Sequence, residues 1–237
     1  MHYHANKIKN INAITFDLDD TLWEIAPVIE RAEKKVYELI QAKFPRVSER
    51  YALRDIQQIR EQVLSSNLDI IHDLTEIRRL TFREMLSRCD YDPSQSSILL
   101  KQYMDWRHNI DFFVDVIPAL ELLSEQYQLM TITNGNADVK RLGISKYFSG
   151  SISAGLFGAL KPDPRIFHHA CEMLGEKPCT ILHVGDNPTD DVIGSLDAGF
   201  HAAWINRHRT VWNEQRLPDI EIISLTELVE FLDGLDH

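Results

Sequence analysis

Short apolar runs recur along the chain, and each is followed by turn residues and then by a stretch with helical periodicity. Apolar runs of this length that are bounded by turns are typical of strands buried on both faces of a parallel sheet. Strands are predicted at 12–16, 129–133, 151–154, 180–184 and 202–205. Helices are predicted between the later strands, at 118–127, 138–142, 164–174 and 188–198. The alternation predicts an α/β fold, with a parallel sheet and helices on both of its faces.

The stretch 23–111 interrupts this alternation, because its pattern is helical and contains no strand signal. Amphipathic helices are predicted there at 25–44, 48–66, 74–89 and 93–107. Since this block directly follows the first strand, we expect an all-helical domain, 23–111, inserted into a core formed by 1–22 and 112–237. Ligands of open parallel sheets bind at the carboxyl ends of the strands, so we expect the chemistry to follow each strand.

Two carboxylates follow the first predicted strand. Asp17 and Asp19 are separated by one residue, so in an extended segment they project to the same side while Leu18 turns into the core. Two adjacent carboxylates repel each other, and their burial costs free energy unless a cation or a shared proton offsets it. An acidic loop or a helix cap would show the same short pattern. The apolar strand in front of the pair favours a functional role.

The second strand ends in a threonine that is followed by a turn. Thr133 offers a hydroxyl at the strand end, and Gly135 allows the backbone to turn tightly after Asn134. Backbone N–H groups in such a turn can bind a phosphate. A plain turn without function fits these three residues equally well.

A lysine precedes the helix predicted at 164–174. Pro162 favours extended backbone at Lys161, and Asp163 suits the N-cap of a helix whose first residue is Pro164. Lys161 is thereby fixed at a helix N-terminus, where its ammonium can meet a phosphate oxygen. A solvated surface lysine is the alternative interpretation.

A further pair of carboxylates follows the fourth strand. With Asn187 as the N-cap of the next helix, Asp186 lies at the strand end and Asp191 about one turn inside the helix. Together with Asp17 they form an all-oxygen environment that suits Mg²⁺. His183 lies inside the strand itself, so we expect it to be a buried, hydrogen-bonded residue and no metal ligand.

The overall composition limits the choice of partners. The chain has 25 basic and 36 acidic residues and a net charge of −11, which disfavours nucleic acid but permits a small phosphorylated ligand. No apolar run approaches the ~18 residues of a membrane helix. The first residues lack a stretch of signal-peptide type, so we expect no membrane association and a cytoplasmic location. Cys89, Cys171 and Cys179 have no metal-binding spacing, and we expect free thiols.

Taken together and in order, the four sites resemble the four motifs of the haloacid dehalogenase-like superfamily. The matching segments are Asp17-Leu18-Asp19-Asp20-Thr21, Thr133-Asn134-Gly135, Lys161-Pro162 and Gly185-Asp186 with Asp191. The resemblance covers nearly the whole chain. It implies a Rossmann-like parallel sheet core, and the helical insertion is similar to the first type of cap domain in that superfamily.

The resemblance also implies a role for each motif residue. Asp17 is implied as the nucleophile that forms an aspartyl-phosphate, and Asp19 as the general acid and base. Mg²⁺ is implied at the carboxylate of Asp17, the backbone carbonyl of Asp19, Asp186 and, in support, Asp191. Phosphoryl oxygens are implied at Thr133, Asn134 and Lys161. Dehalogenases and phosphonatases of the superfamily lack an acid at the position of Asp19, so phosphoryl transfer is favoured here.

At closer range the chain resembles bacterial phosphatases of this superfamily that act on flavin mononucleotide and on 5-amino-6-(5-phosphoribitylamino)uracil, before riboflavin. Some of four residues are predicted to meet the organic part of such a substrate: Trp23, His72, Trp106 and Arg107. The alternative is that the tryptophans belong to the core of the helical domain. A phosphomutase or phosphotransferase with the same motifs, and a binding protein without turnover, are further alternatives. The sequence does not predict the oligomeric state.

Overall fold

The computed structural model describes residue 8 and residues 10–234 of the chain. It divides into two compact units: the first has the bounds Met1–Glu24 and Asp111–His237, and the second Ile25–Ile110. These divisions lie within two residues of the predicted domain boundaries, and they put Trp23 in the first unit.

The first unit contains a six-stranded sheet in which every pairing is parallel. The strands are β1 Ala13–Phe16, β2 Gln128–Thr133, β3 Gly150–Ser153, β4 Ile181–Gly185, β5 His201–Ile205 and β6 Ile220–Ile222. Their order is β3-β2-β1-β4-β5-β6, so the chain starts in the middle of the sheet and extends it on both sides. The predicted parallel sheet is confirmed, and β6 is a further strand that the sequence pattern did not predict. The order reverses at β1, whose carboxyl end is therefore the place to look for a ligand site.

The second unit is helical. Its α-helices are α1 Ile25–Lys43, α2 Pro45–Arg50, α3 Leu53–Ser66, α4 Leu74–Ser87 and α5 Ser96–Arg107, the last preceded by a 3₁₀ turn at Pro93–Gln95. The prediction of one continuous helix at 48–66 is wrong, because extended backbone at Tyr51 and Ala52 separates α2 from α3. The Asp55 carboxylate accepts a hydrogen bond of 2.8 Å from the Ala52 N–H, which starts α3 as a new helix.

An apolar stripe holds these helices together. In α1 the buried residues recur every fourth position, at Val28, Ala32, Val36 and Ile40. This spacing lines one face of a helix. Most of this stripe packs into one core with buried residues of α3, α4 and α5, among them Ile59, Ile77, Met85 and Leu99. The second unit therefore has a hydrophobic core of its own.

Helices surround the sheet in the first unit. They are α6 Val116–Gln126, α7 Ala154–Phe157, α8 Pro164–Leu174, α9 Gly194–Asp197 and α10 Leu225–Asp233. The stretch predicted as a helix at 188–198 begins as a π-helical turn, Pro188–Ile193, and continues as α9. The helix predicted at 138–142 is wrong: the chain forms a turn there, and the Asp138 carboxylate accepts a hydrogen bond of 2.8 Å from the Lys140 N–H. Such local side-chain bonds compete with helix formation.

Two further observations concern the three cysteines and the apolar character of the helices. The cysteines are free, with Cys89 buried and Cys179 exposed, and burial raises the pKa of the Cys171 thiol to about 11. Among the described residues, no helix has the length and apolar character needed to cross a membrane.

Candidate active site

Three carboxylates meet at the carboxyl edge of the sheet. Asp17 directly follows β1 and is 7% exposed, and its N–H continues the ladder by donating to the Val184 carbonyl at 2.9 Å. Asp186 follows β4, and Asp191 lies on the π-helical turn behind it. Ligand oxygens of Asp17, Asp186 and Asp191 all lie within 4.8 Å of one another. The structure therefore brings together the three side chains that the sequence assigned to a metal.

Lys161 lies inside this cluster. Its ammonium donates to the Oδ1 atoms of Asp17 and Asp191, both at 2.6 Å, and to the carbonyl of Ile132 at 2.8 Å. The residue is only 3% exposed, so these three acceptors replace the water that the ammonium loses. The alternative of a solvated surface lysine is therefore wrong.

The local start of α8 fixes the backbone around Lys161. The Asp163 carboxylate accepts from the Arg165 N–H at 2.9 Å, and Pro164 occupies the first turn, as the sequence predicts. The Lys161–Pro162 peptide bond is cis. These features place the lysine immediately before a capped helix.

The charges of the cluster shift its pKa values strongly. Burial raises the pKa of Asp17 well above its ordinary value, and the carboxylates of Asp191 and Asp186 add to this, against the opposing effect of Lys161. Burial alone would lower the pKa of Lys161, but Asp17 and Asp191 raise it above its ordinary value. Burial would likewise raise the pKa of Asp191, but Lys161 and His183 lower it below its ordinary value. Lys161 and Asp191 thus form an ionised pair. The cost of burying a negative charge on Asp17 is offset only in part by Lys161.

Asp186 is the other carboxyl group that is short of positive charge. Burial raises its pKa to about 7, and the neighbouring charges of Asp191 and Asp20 act in the same direction. The Thr21 hydroxyl donates to Asp186 Oδ1 at 3.2 Å. The cluster contains three carboxylates and one ammonium, so a further cation would reduce its excess of negative charge.

Both carboxylate oxygens of Asp191 accept hydrogen bonds within the protein. Its Oδ2 accepts from the Asn187 N–H at 2.9 Å, and its Oδ1 lies 3.1 Å from Nε2 of His183. His183 is buried, as predicted, and its Nδ1 lies 2.8 Å from the Thr15 hydroxyl. Burial lowers the pKa of this imidazole. A Cβ at Gly185 would overlap the Asp191 side chain, so glycine is required there for the close approach.

The turn after β2 holds Lys161 from the other side. The Asn134 side chain accepts from the Lys161 N–H at 2.7 Å and donates to the Lys161 carbonyl at 3.0 Å. It also donates to Asp190 Oδ2 at 3.2 Å. The Thr133 hydroxyl accepts from the Gly135 N–H at 2.9 Å, which leaves its own hydrogen for another acceptor.

Asp19 faces the same turn. A Cβ at Gly135 would overlap the Asp19 carboxylate and would lie 3.2 Å from the Thr133 hydroxyl oxygen. Asp19 is partly exposed, unlike the buried Asp17. After it the chain turns sharply, with Asp20 in the left-handed region at φ 61°. Asp19 therefore lies beside the predicted phosphate-binding turn, within reach of solvent.

The residues predicted to select a substrate are distributed over both units. Trp23 is fully buried in the first unit, and its ring packs edge-on against Phe112 with 5.8 Å between centroids. In the second unit Arg107 is 1% exposed, whereas His72 and Trp106 are partly exposed. Trp106 packs against the helical core. Their role in substrate binding stays a prediction.

Sequence reasoning missed several residues that hold the site together. Asp190 binds Asn134, and Trp204 and Arg207 donate to backbone carbonyls of the loops that carry Asp186 and Asp19. The only sequence signal for Asp190 is its position next to Asp191, a predicted metal ligand. Trp204 and Arg207 could have been found only by their position at the carboxyl end of a strand.

The sequence of the chain matches a known protein family. A family model described as haloacid dehalogenase-like hydrolase matches residues 11–199, which include every motif residue named above. The chain is a haloacid dehalogenase-like hydrolase. The predicted family and the Rossmann-like core are thereby confirmed.

Relatives of this haloacid dehalogenase-like hydrolase include phosphatases. 5-amino-6-(5-phospho-D-ribitylamino)uracil phosphatase YigB of Escherichia coli (strain K12) is 31% identical over 94% of this chain and 96% of its own length. N-acylneuraminate-9-phosphatase of Rattus norvegicus is 27% identical over 97% of this chain and 96% of its own. A solved structure described as 2-haloacid dehalogenase from Pseudomonas syringae pv. Tomato DC3000 has a TM-score of 0.89 at 35% identity, covering 94% of this chain and 99% of that one. The phosphatases support the predicted enzyme class, a phosphoric monoester hydrolase.

Proposed function

We propose that this haloacid dehalogenase-like hydrolase is a Mg²⁺-dependent phosphomonoesterase that acts on small phosphorylated metabolites through an aspartyl-phosphate on Asp17. The observation that carries the proposal is the cluster at the carboxyl edge of the sheet, in which Asp17, Asp186 and Asp191 lie together and the ammonium of Lys161 pairs with Asp17 and Asp191. The first unit is the catalytic core, and the second unit is its helical cap domain.

The chemistry of the donors fits Mg²⁺. Carboxylate oxygens are hard ligands of the kind this ion prefers, and those of Asp17 and Asp186 belong to groups whose pKa values are raised by burial and by the neighbouring carboxylates. Asp17, Asp186 and the backbone carbonyl of Asp19 would hold the ion. Asp191 supports it indirectly, because both of its carboxylate oxygens are already bonded within the protein. When bound, Mg²⁺ neutralises charge on the phosphoryl oxygens and lets an anionic nucleophile approach them.

Hydrolysis then proceeds in two steps. In the first, a carboxylate oxygen of Asp17 bonds to phosphorus as the ester P–O bond breaks, and Asp19 gives its proton to the leaving alkoxide. In the second, Asp19 takes a proton from water, whose oxygen bonds to phosphorus as the bond to Asp17 breaks. Inorganic phosphate leaves. The exposure of Asp19 and the burial of Asp17 agree with this division of roles.

Lys161, Thr133 and Asn134 would hold the phosphoryl oxygens. Lys161 supplies a fixed positive charge, and the Thr133 hydroxyl supplies a hydrogen that its contact with Gly135 leaves available. The Asn134 side chain is occupied by the backbone of Lys161, so Asn134 binds phosphate through its own N–H. Preorganised donors of this kind stabilise the charge that develops in phosphoryl transfer.

The proposed substrate is either 5-amino-6-(5-phospho-D-ribitylamino)uracil, a precursor of riboflavin, or flavin mononucleotide itself. The name of the Escherichia coli relative supports this class, and its alignment over nearly the full length of both chains includes the second unit. His72 and Trp106, which are partly exposed, are the candidates for contact with the ring system. N-acylneuraminate 9-phosphate is the comparison compound, because of the rat relative.

A 2-haloacid dehalogenase is the second candidate function, because a structure of that description is 35% identical to this chain. Both activities would use Asp17 as the nucleophile. They differ at Asp19, since a dehalogenase releases halide and has no alkoxide to protonate. The presence of Asp19 therefore favours the phosphatase.

A panel of substrates separates these functions. With Mg²⁺ present we expect phosphate release from p-nitrophenyl phosphate and higher kcat/KM for 5-amino-6-(5-phospho-D-ribitylamino)uracil or flavin mononucleotide than for N-acylneuraminate 9-phosphate. A chelator should abolish the release. Release of chloride from 2-chloropropionate without phosphatase activity would establish the dehalogenase instead. A new phosphorylated product in place of free phosphate would indicate a mutase or phosphotransferase.

Gly135→Ala tests the contact between Asp19 and the turn after β2. The new Cβ overlaps the Asp19 carboxylate, which lies at the far end of a flexible side chain and has to shift. We expect kcat for p-nitrophenyl phosphate to fall about 10-fold or more, since a small displacement of a catalytic group is costly. The free energy of unfolding should change by less than about 1 kcal/mol. In the control, Gly234→Ala, the nearest atom lies 3.4 Å from the new Cβ, and kcat should stay unchanged. An unaltered kcat in Gly135→Ala would contradict the role of Asp19.

A further inference from the structure

Two side chains at the carboxyl end of β5 reach loops that belong to the active site. β5 carries none of the four motifs, and the residues concerned are Trp204, inside the strand, and Arg207, two residues beyond it. Both donate hydrogen bonds to backbone carbonyls far away in the sequence. We call Trp204 and Arg207 the β5 clamp.

Trp204 holds the loop after β4. Its indole N–H donates to the Asp186 carbonyl at 2.8 Å, and the ring is 2% exposed. Trp212 packs against it, with 4.8 Å between the ring centroids. The Asp186 carbonyl and the Asn187 N–H belong to the same peptide group, and this N–H donates a hydrogen bond to the Asp191 carboxylate. The direction of this single peptide therefore affects two of the three clustered carboxylates.

Arg207 holds the loop after β1. Its Nε and one terminal nitrogen donate to the Thr21 carbonyl at 3.0 and 2.9 Å, and its other terminal nitrogen lies 3.1 and 3.2 Å from the two oxygens of Asp115. The guanidinium also lies over the ring of Phe113, 4.0 Å from its centroid. The side chain is only 10% exposed, and its contacts with Thr21, Asp115 and Phe113 fix its position.

The two loops are joined to each other and to a rigid support. The Thr21 hydroxyl donates to Asp186, so the carbonyl that Arg207 binds belongs to a residue in contact with the carboxylate cluster. Between the clamp residues, Asn206 donates its N–H to the Ile222 carbonyl of β6 at 2.7 Å and binds Thr210 through its side chain. The clamp is thus anchored in the sheet.

We propose that Trp204 and Arg207 are positioning residues that hold the loops of Asp186 and Asp19 together at the proposed metal site. The inference rests on the proposed function. The clustered carboxylates repel one another, and this repulsion would separate the loops unless the backbone is held from outside the cluster. Trp204 does this with a neutral donor, and the positive charge of Arg207 is paired with Asp115. The clamp therefore acts on Mg²⁺ affinity and on turnover.

The test compares each clamp residue with a matched neighbour. Trp204→Phe removes the bond to Asp186, whereas Trp212→Phe removes an indole N–H that has no hydrogen-bond partner. Arg207→Lys keeps a charge for Asp115 but loses the paired donors to Thr21, and the control is Arg216→Lys at an exposed ion pair with Asp197. Calorimetric titration with Mg²⁺ alone gives Kd, and p-nitrophenyl phosphate gives kcat and KM.

We expect Kd for Mg²⁺ to rise about 10- to 100-fold in Trp204→Phe and kcat to fall by a similar factor in Arg207→Lys, the usual range for residues behind a metal site. The controls should stay within about twofold, and KM should change little. If folded clamp variants match their controls in both Kd and kcat, the clamp is overturned while the proposed function stands. If the wild type neither binds Mg²⁺ nor releases phosphate, the proposed function fails, and the clamp with it.

Discussion

Replacing Asp17 by asparagine is expected to lower kcat for p-nitrophenyl phosphate by about 10³- to 10⁶-fold, the range seen when a nucleophile is removed. The amide has no charge to direct at phosphorus and is a poor nucleophile. The variant should still fold, because the amide oxygen can accept the hydrogen bond from Lys161 that the carboxylate accepts at 2.6 Å. Initial rates at saturating substrate and Mg²⁺ measure the effect.

The control for this variant is Asp197→Asn. Asp197 is an exposed carboxylate that pairs with Arg216 at 2.9 Å on the far end of α9, so its loss should leave kcat unchanged. Circular dichroism of both variants checks that they are folded. An Asp17→Asn enzyme that turns over at the wild-type rate would show that the nucleophile is another group.

Replacing Lys161 by methionine is expected to lower the free energy of unfolding by about 3–5 kcal/mol, the usual cost of removing one partner from a buried ion pair. The ammonium contacts Asp17 and Asp191 in a site where it is 3% exposed, and without it both carboxylates lose their neutralising charge. Urea denaturation without Mg²⁺ measures the change. Phosphatase activity should be lost in the same variant.

Addition of Mg²⁺ should restore part of the stability of Lys161→Met, because a bound cation offsets the repulsion that the lysine offset before. The increase should exceed that of the wild type. Lys140→Met, which removes an exposed lysine from the turn at 138–142, serves as the control and should leave stability within about 0.5 kcal/mol. A Lys161→Met protein as stable as this control would contradict the buried ion cluster.

The sheet and the clustering of the motif residues could be predicted because their signals are local. Each strand is a short apolar run, and each motif residue follows a strand or precedes a helix, so parallel topology alone brings them to one edge. The missed strand β6 has only three residues, Ile220–Ile222, with a glutamate in the middle. The false helix at 138–142 arose because the pattern does not show that the Asp138 side chain binds the backbone itself.

The supporting contacts could not be predicted because they depend on tertiary structure. Arg207 and Thr21 are 186 residues apart in sequence, and Trp204 meets Asp186 only because β5 pairs with β4. The sequence did not predict that the Asn134 side chain binds the backbone of Lys161. In the second unit, partly exposed residues such as Trp106 have no sequence pattern that specifies a ligand.

The most direct test of the central claim is a rapid-quench experiment with p-nitrophenyl [³²P]phosphate and Mg²⁺. Acid quenching within a single turnover should recover labelled protein, the label should be released by hydroxylamine as expected for an acyl phosphate, and the labelled peptide should contain Asp17. The label should be missing in Asp17→Asn and in chelator. Steady release of phosphate without any labelled protein, or a label on another residue, would contradict the account.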